Sequence, residues 1–466
     1  MKTTKQNDLG HAKIGRLILS MSLPSIAAQI INVLYNVVDR MYIGHLETGG
    51  DLSLAGVGIT FPIIMIISAF SALVGMGGAP RAAMKMGKND HTGAEKILGN
   101  CFCTLLVLSV AITAVILLFK ENILYAFGAN HETILPALDY ITIYAIGTIF
   151  VQVVLGLNMF ISAQGFAKTS MLTTVIGAVL NIVLDPIFMF TWDMGVKGAA
   201  LATILSQAVS AIWVLRFLTG KKTLLKIRKQ HLRLKPSVIL PVLALGVSPF
   251  IMQATESVIT ICFNISLAKY GGNLAVSAMA ILSSVMQFTF LPLMGLTQGA
   301  QPIISFNYGA RNADRVKKAF RLLLIMALSF STLFWAVIML FPNIFIGMFS
   351  DSENLTQMTA WALRIYMSAS LVLGAQTACQ QTFIALGKAG VSVFLAVLRK
   401  ILLLIPLIFI LPLIFTADQV FAVFLAEPVA DVLATLTTVL LFAARFKKIL
   451  QTIPSGKLPQ PANKPV

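Results

Sequence analysis

The chain alternates between long apolar runs and short polar or glycine-rich breaks, and the runs approach or exceed the roughly 20 residues that a helix needs to cross a bilayer. Twelve are predicted, near 17–43, 52–79, 97–119, 136–162, 169–191, 196–217, 238–267, 274–304, 319–346, 360–385, 390–415 and 419–444. The apolar residues are continuous rather than alternating with polar ones, which predicts helices and not the strands of a barrel. The expected class is an all-α membrane protein.

Polar residues inside these runs are the places to look for chemistry. In LNIVLDPIFMF, residues 180–190, Asn181 and Asp185 are four apart and share a helical face. Pro186 follows and lacks the donor that would occupy a carbonyl one turn earlier. A carboxylate at membrane depth costs at least a few kcal/mol and is tolerated where it faces protein or a wet cavity. The first run carries Asn32, Tyr35, Asn36 and Asp39 at i, i+3, i+4 and i+7, again one face; the alternative for Asp39 is pairing with Arg40. The sixth opens GAALATILSQ, whose small residues allow close helix approach and whose Thr203 offers a hydroxyl. Asp39, Asn181, Asp185 and Thr203 would make an all-oxygen site, suited to a hard cation or an exchangeable proton, and spacing does not choose between proton and sodium.

The second half has its own acids. Glu256 lies in the seventh run, and Glu427 and Asp431 are four apart in the twelfth. They could serve transport or pair with Arg364, Arg399 or Lys400, which also lie within or near runs. Ser284, Gln287, Met294, Gln298 and Gln301 recur at helical spacing in the eighth and could line a cleft.

Composition agrees with the pattern: 57% of the 466 residues are hydrophobic and 11% charged, with mean hydropathy +0.86, whereas a soluble domain carries about 25% charged residues. The net charge of +17 is topological. With twelve spans, 28 of the 35 Lys and Arg fall in segments on one side or in the span ends that adjoin them, and three, Lys120, Lys197 and Lys269, lie toward the other. By the positive-inside rule both termini are cytoplasmic, in a cell (inner) membrane, and nucleic acid is not an expected partner. The basic start resembles a signal peptide, but the first run is too long and contains Asp39, so it is read as a retained span. Cys101, Cys103, Cys262 and Cys379 lie inside spans and are read as apolar packing. His11, His45, His91, His131 and His231 all fall in loops or tails, which removes the usual ligands and bases of an intramembrane enzyme. No enzyme activity and no cofactor beyond the coupling ion are expected.

The second half also repeats the first at an offset of 222. Gly50 pairs with Gly272, Pro80 with Pro302, Gly87 with Gly309, Tyr144 with Tyr366 and Gly165 with Gly387. Before a slightly longer first loop the offset is 225, matching Pro24 to Pro249. Six spans per half give both halves one orientation, a parallel repeat. The expected organisation is a cytoplasmic segment 1–16, a six-helix lobe 17–217, a basic linker 218–237, a second lobe 238–444 and a cytoplasmic tail 445–466. Two like bundles across a cleft suggest an alternating-access transporter.

SLPSIAAQIINVLYNVVDRMYIG, the P-R-x-x-x-x-x-G run from Pro80 to Gly87, A-Q-G at 163–165, LNIVLDPIF and G-x-K-G-A-A-L-A-T at 195–203 resemble the multidrug and toxic compound extrusion (MATE) family, nearest its MepA/DinF-like side. The resemblance implies twelve transmembrane helices in two pseudo-symmetric six-helix lobes, open as a V, exchanging lipophilic, mostly cationic compounds for protons or sodium. It implies coupling at Asp39, Asn181, Asp185 and Thr203, with Asn32, Tyr35 and Asn158 in the cavity. Asn36, Glu256, Gln287 and Met294 are further cavity candidates. Another branch of the family couples through a seventh-span Glu and a tenth-span Asp; Glu256 lies close to the first, but no acid occupies the tenth span. A monomer is expected to suffice. The alternative function is a flippase or exporter of a lipid-linked or other specific metabolite in the same superfamily.

Overall fold

The structure, a computed structural model, describes residues 6–46, 50–349 and 352–451. No strand occurs among them. Among the described residues nine helices are long and apolar enough to cross a membrane, and two further crossings are bent helix pairs. The longest helix, Pro236–Gly309, is itself two spans, because Gly272 breaks it with φ 62° and ψ −163°. Twelve spans result, as the apolar runs predict.

The first lobe comprises Ile14–Gly44, Gly50–Gly87, His91–Ala126, the bent pair Ile134–Ile146 and Thr148–Ala163, then Ala167–Pro186 and Gly195–Thr219. The second comprises 236–271, 273–309, Ala313–Leu340, a bent tenth span from Glu353–Tyr366 to Leu373–Ala385, an eleventh from Ala389 to Ile414, and Gln419–Gln451. The ninth run was expected to continue to 346. Its helix stops at Leu340 and a short helix, Pro342–Ile346, starts afresh, because Pro342 has no N–H with which to continue the ladder. The tail beyond residue 451 lies outside the described residues.

The repeat is visible in backbone detail. Asn89 and Arg311, 222 apart, both adopt φ 58°, and Gly165 and Gly387 adopt 91° and 69°. The next pair caps a helix in each lobe, Asp90 Oδ1 accepting from Gly93 N–H at 2.8 Å and Asn312 Oδ1 from Arg315 N–H at 3.1 Å. The fourth and tenth spans, also repeat mates, bend by 57° and 44°.

The lobes meet at the end that carries the linker. Gly77 and Gly246 bring the second and seventh spans together, and Gly295 and Gly299 lay the eighth span against Ile26 and Ser22 of the first; helices without side chains at the crossing can approach this closely. Ser22 Oγ donates to the Leu296 carbonyl at 3.0 Å, and Gln29 Nε2 to Gln298 Oε1 at 3.0 Å. The N-terminal segment fastens the same end. Asn7 binds the Gly165 carbonyl through its backbone and side-chain amides, at 3.2 and 3.1 Å, while Arg315 and Asn307 of the second lobe donate to the Leu9 carbonyl. The linker is held on the first lobe by Arg228 on Glu95 at 2.7 Å and by Lys235 N–H on Asn100 Oδ1 at 2.7 Å. Among the described residues no hydrogen bond joins the two sets of spans farther along the cleft, which opens away from the linker.

Candidate functional site

The fifth span holds the centre of the site. It is α-helical to Pro186 and continues as a π-helical turn, Ile187–Thr191, the kind of wide turn that follows when proline withholds a helix hydrogen bond. Asn181 and Asp185 lie one turn apart on its inner face, both buried. Asn181 Nδ2 donates to Asp185 Oδ1 at 3.0 Å and to Thr203 Oγ1 of the sixth span at 3.3 Å. Gly198, on the same helix as Thr203, is pressed against Phe188 and Met189, so the small residues that open the sixth span bring its hydroxyl to the amide.

From the first span Asp39, 8% exposed, faces Asp185 within hydrogen-bonding reach. Arg40 forms no salt bridge with it; its guanidinium lies over the Phe61 ring, 4.8 Å from the centroid. Asp39 Oδ1, Asp185 Oδ2 and Asn181 Oδ1 are buried without a hydrogen-bond partner. Unsatisfied buried oxygens are costly, and two facing carboxylates carry no proton donor between them unless one is protonated. The all-oxygen set could hold a proton or a small hard cation. Among the described residues no cluster of three or more His, Cys, Asp or Glu side chains is arranged to hold a metal ion.

Tyr140 joins this group although the pattern of the sequence did not single it out. It is buried in the fourth span, beside Thr203, and stacked on Tyr144 at 6.1 Å. The available signal was the phenol itself, since a Tyr hydroxyl in an apolar run needs a partner.

The other first-lobe candidates sit nearby with more local bonds. Asn36 Nδ2 donates to the Asn32 carbonyl at 2.6 Å, Tyr35 lies beside Asn36, and Asn158 Nδ2 donates to the Ser170 carbonyl at 3.1 Å with its own oxygen unpartnered. In the second lobe Gln287 is exposed and Met294 half-buried.

The second-lobe acids are not free. The eleventh span contains a π-helical segment, Leu398–Leu404, that buries two consecutive cations. Arg399 Nε donates to Asp431 Oδ1 at 2.7 Å and Nη2 to Glu427 Oε1 at 3.3 Å; Lys400 Nζ donates to Glu256 Oε1 at 2.8 Å. Glu256, half-exposed, thus takes the pairing alternative with Lys400 while remaining open to solvent on its other side. The reason is physical: a lysine buried in a span needs a counter-charge. The pairing alternative also holds for Glu427 and Asp431, whereas Arg364 takes no part in the network.

The MatE family profile matches residues 24–187 and 249–410, one segment in each lobe. The chain is similar to the multidrug export protein MepA of Staphylococcus haemolyticus (strain JCSC1435), 26% identical over 364 residues, 78% of this chain and 80% of that protein. It is also similar to the protein of the same name from Staphylococcus saprophyticus, 24% identical over 424 residues, 91% and 93% of the two chains. A crystal structure of MATE in the bent conformation superposes with a TM-score of 0.90 at 24% identity, over 97% of this chain and 100% of the other.

Proposed function

Because the chain belongs to the MatE family of membrane transporters, we propose that it is a multidrug efflux antiporter that exports lipophilic, mostly cationic compounds in exchange for protons or sodium. The observation that carries the coupling is the facing of Asp39 and Asp185 with three unpartnered oxygens beside Asn181 and Thr203. A proton or sodium ion arriving there supplies the missing partner and removes negative charge from the first-lobe cavity.

The open cleft would accept drug while this cluster is charged; ion binding would let the first span bend near its polar stripe, shrink the cavity and displace drug outward. Coupling follows from different affinities of ion and drug for the two states, and it is reciprocal. Carboxylates in an otherwise apolar wall favour a positive substrate. Since Lys400 already neutralises Glu256, the first-lobe pair is the main source of that attraction. The supporting topology has both termini in the cytoplasm of a cell-membrane protein that works as a monomer. A flippase for pyrophosphate-linked lipids would need free cations in the cleft, and Arg399 and Lys400 are committed to carboxylates.

The test is ethidium efflux from proteoliposomes under an imposed proton gradient and then a sodium gradient, comparing the native chain with Asp185→Asn. Export driven by one ion and lost in the variant supports the proposal and names the ion. Failure of both gradients to drive several cationic dyes would refute it.

A further inference from the structure

A second cavity lies on the outside of the second lobe, at the end away from the linker. It has a volume of about 590 Å³ and is lined by Phe341, Asn343 and Ile344 from the end of the ninth span and the short helix after it, and by Gln357, Trp361 and Arg364 from the tenth. Gln357, Trp361 and Arg364 are spaced i, i+4, i+7 and so share one face, while Thr359, Ala362, Leu363 and Tyr366 bury the opposite one. The groove therefore looks out of the bundle.

Two features say what occupies it. The first is charge. Five cations lie toward this end of the molecule, and four have partners: Arg40 on the Phe61 ring, Lys120 on Thr142 at 3.2 Å, Lys197 on Asp139 at 3.4 Å and Lys269 on the Tyr270 ring at 4.9 Å. Of these five, Arg364 alone makes no hydrogen bond, ion pair or ring contact with the described residues, and it faces the groove. The second is the apolar rim. Leu340, Phe341 and Ile344 are each more than half exposed, a surface that only hydrocarbon would cover at this position in a membrane protein. Trp361, 39% exposed between them and Arg364, is the amphipathic residue typical of the headgroup level.

From this combination we infer that the groove is a binding site for one anionic phospholipid, its phosphate on the Arg364 guanidinium and its acyl chains on Phe341 and Ile344. Guanidinium and phosphate match as a bidentate pair. Gln357 and Asn343 supply neutral donors for the remaining headgroup oxygens. A choline headgroup brings its own positive charge beside Arg364 and is disfavoured, so the site selects net charge and not phosphate alone.

Trp361 makes the site directly observable. The full chain is placed in nanodiscs containing either brominated phosphatidylglycerol or brominated phosphatidylcholine, and the quenching lost on Trp361→Phe is taken as the groove signal. The expected result is about fivefold stronger apparent binding of phosphatidylglycerol than of phosphatidylcholine, a preference that disappears in Arg364→Gln and is partly kept in Arg364→Lys. Equal quenching by the two lipids in the native chain would overturn the assignment. So would a preference that survives Arg364→Gln, or a Trp361 signal that neither lipid quenches.

Discussion

Gly87 and Gly309 are equivalent positions of the two repeats, and each is pressed against the other's helix: a Cβ on Gly87 would run into the Phe306 carbonyl, and one on Gly309 into the carbonyl of Met84. Met84 and Phe306 are themselves 222 apart, so the contact is a pseudo-twofold one across the closed end of the cleft. It locks the lobes together by the absence of two side chains.

Substituting either glycine by alanine should loosen this end. Forcing a methyl into such a crossing costs about 1–3 kcal/mol, enough to move the balance between closed and open linker ends by roughly 5- to 150-fold. Spin labels at the exposed positions Lys88 and Arg311 would read the change. Gly87→Ala should lengthen the distance distribution and slow export, and an unchanged distribution would show that the crossing does not set the state.

The facing of Asp39 and Asp185 gives a second expectation. Asp39→Asn and Asp185→Asn each place an amide where a carboxylate held the ion, so each should reduce ion-driven ethidium export at least about tenfold. The fold should persist, because an amide fills the same volume and can still bond to Asn181 or its neighbours. Native-level export from either variant would remove the pair from the coupling site.

Much of this site was legible in the sequence because the membrane makes polar residues conspicuous. Asn181, Asp185 and Thr203 needed only helical spacing and depth, and the repeat needed only glycines and prolines at a constant offset. What spacing could not supply was the pairing between distant spans. The π-helical turn that buries both Arg399 and Lys400 has no signature in an apolar run, so spacing left open which of Arg364, Arg399 and Lys400 pairs with Glu256. Tyr140 was missed for the opposite reason: its ring suits an apolar span, and only the fold places it beside Thr203.

The second-lobe network makes its own stability prediction. Arg399 is 5% exposed and is the hydrogen-bonded partner of both Glu427 and Asp431. Arg399→Met leaves two buried carboxylates without their counter-charge, at a cost of about 3–5 kcal/mol, and should lower the thermal unfolding temperature in detergent. Adding Glu427→Gln and Asp431→Asn removes the stranded charges and should restore most of the loss. If the triple variant were as unstable as the single one, packing around Arg399 and not charge would be the cause.

Asp90 and Asn312 cap equivalent helices with different chemistry, which separates them by pH. Lys85, whose Nζ lies 2.7 Å from Asp90 Oδ2, and the Gly93 N–H hold the Asp90 carboxyl below its usual range. A carboxyl depressed in the folded state stabilises above its unfolded value, near 3.9, and loses that contribution as pH falls through the lower folded value. The Asn312 amide does not titrate. Below about pH 4 the amide of Gly93 should therefore lose hydrogen-exchange protection relative to that of Arg315, after correction for intrinsic rates. In Asp90→Asn the two caps should respond alike. Parallel loss at both helices in the native chain would mean that acid acts on the whole linker end and not through this carboxylate.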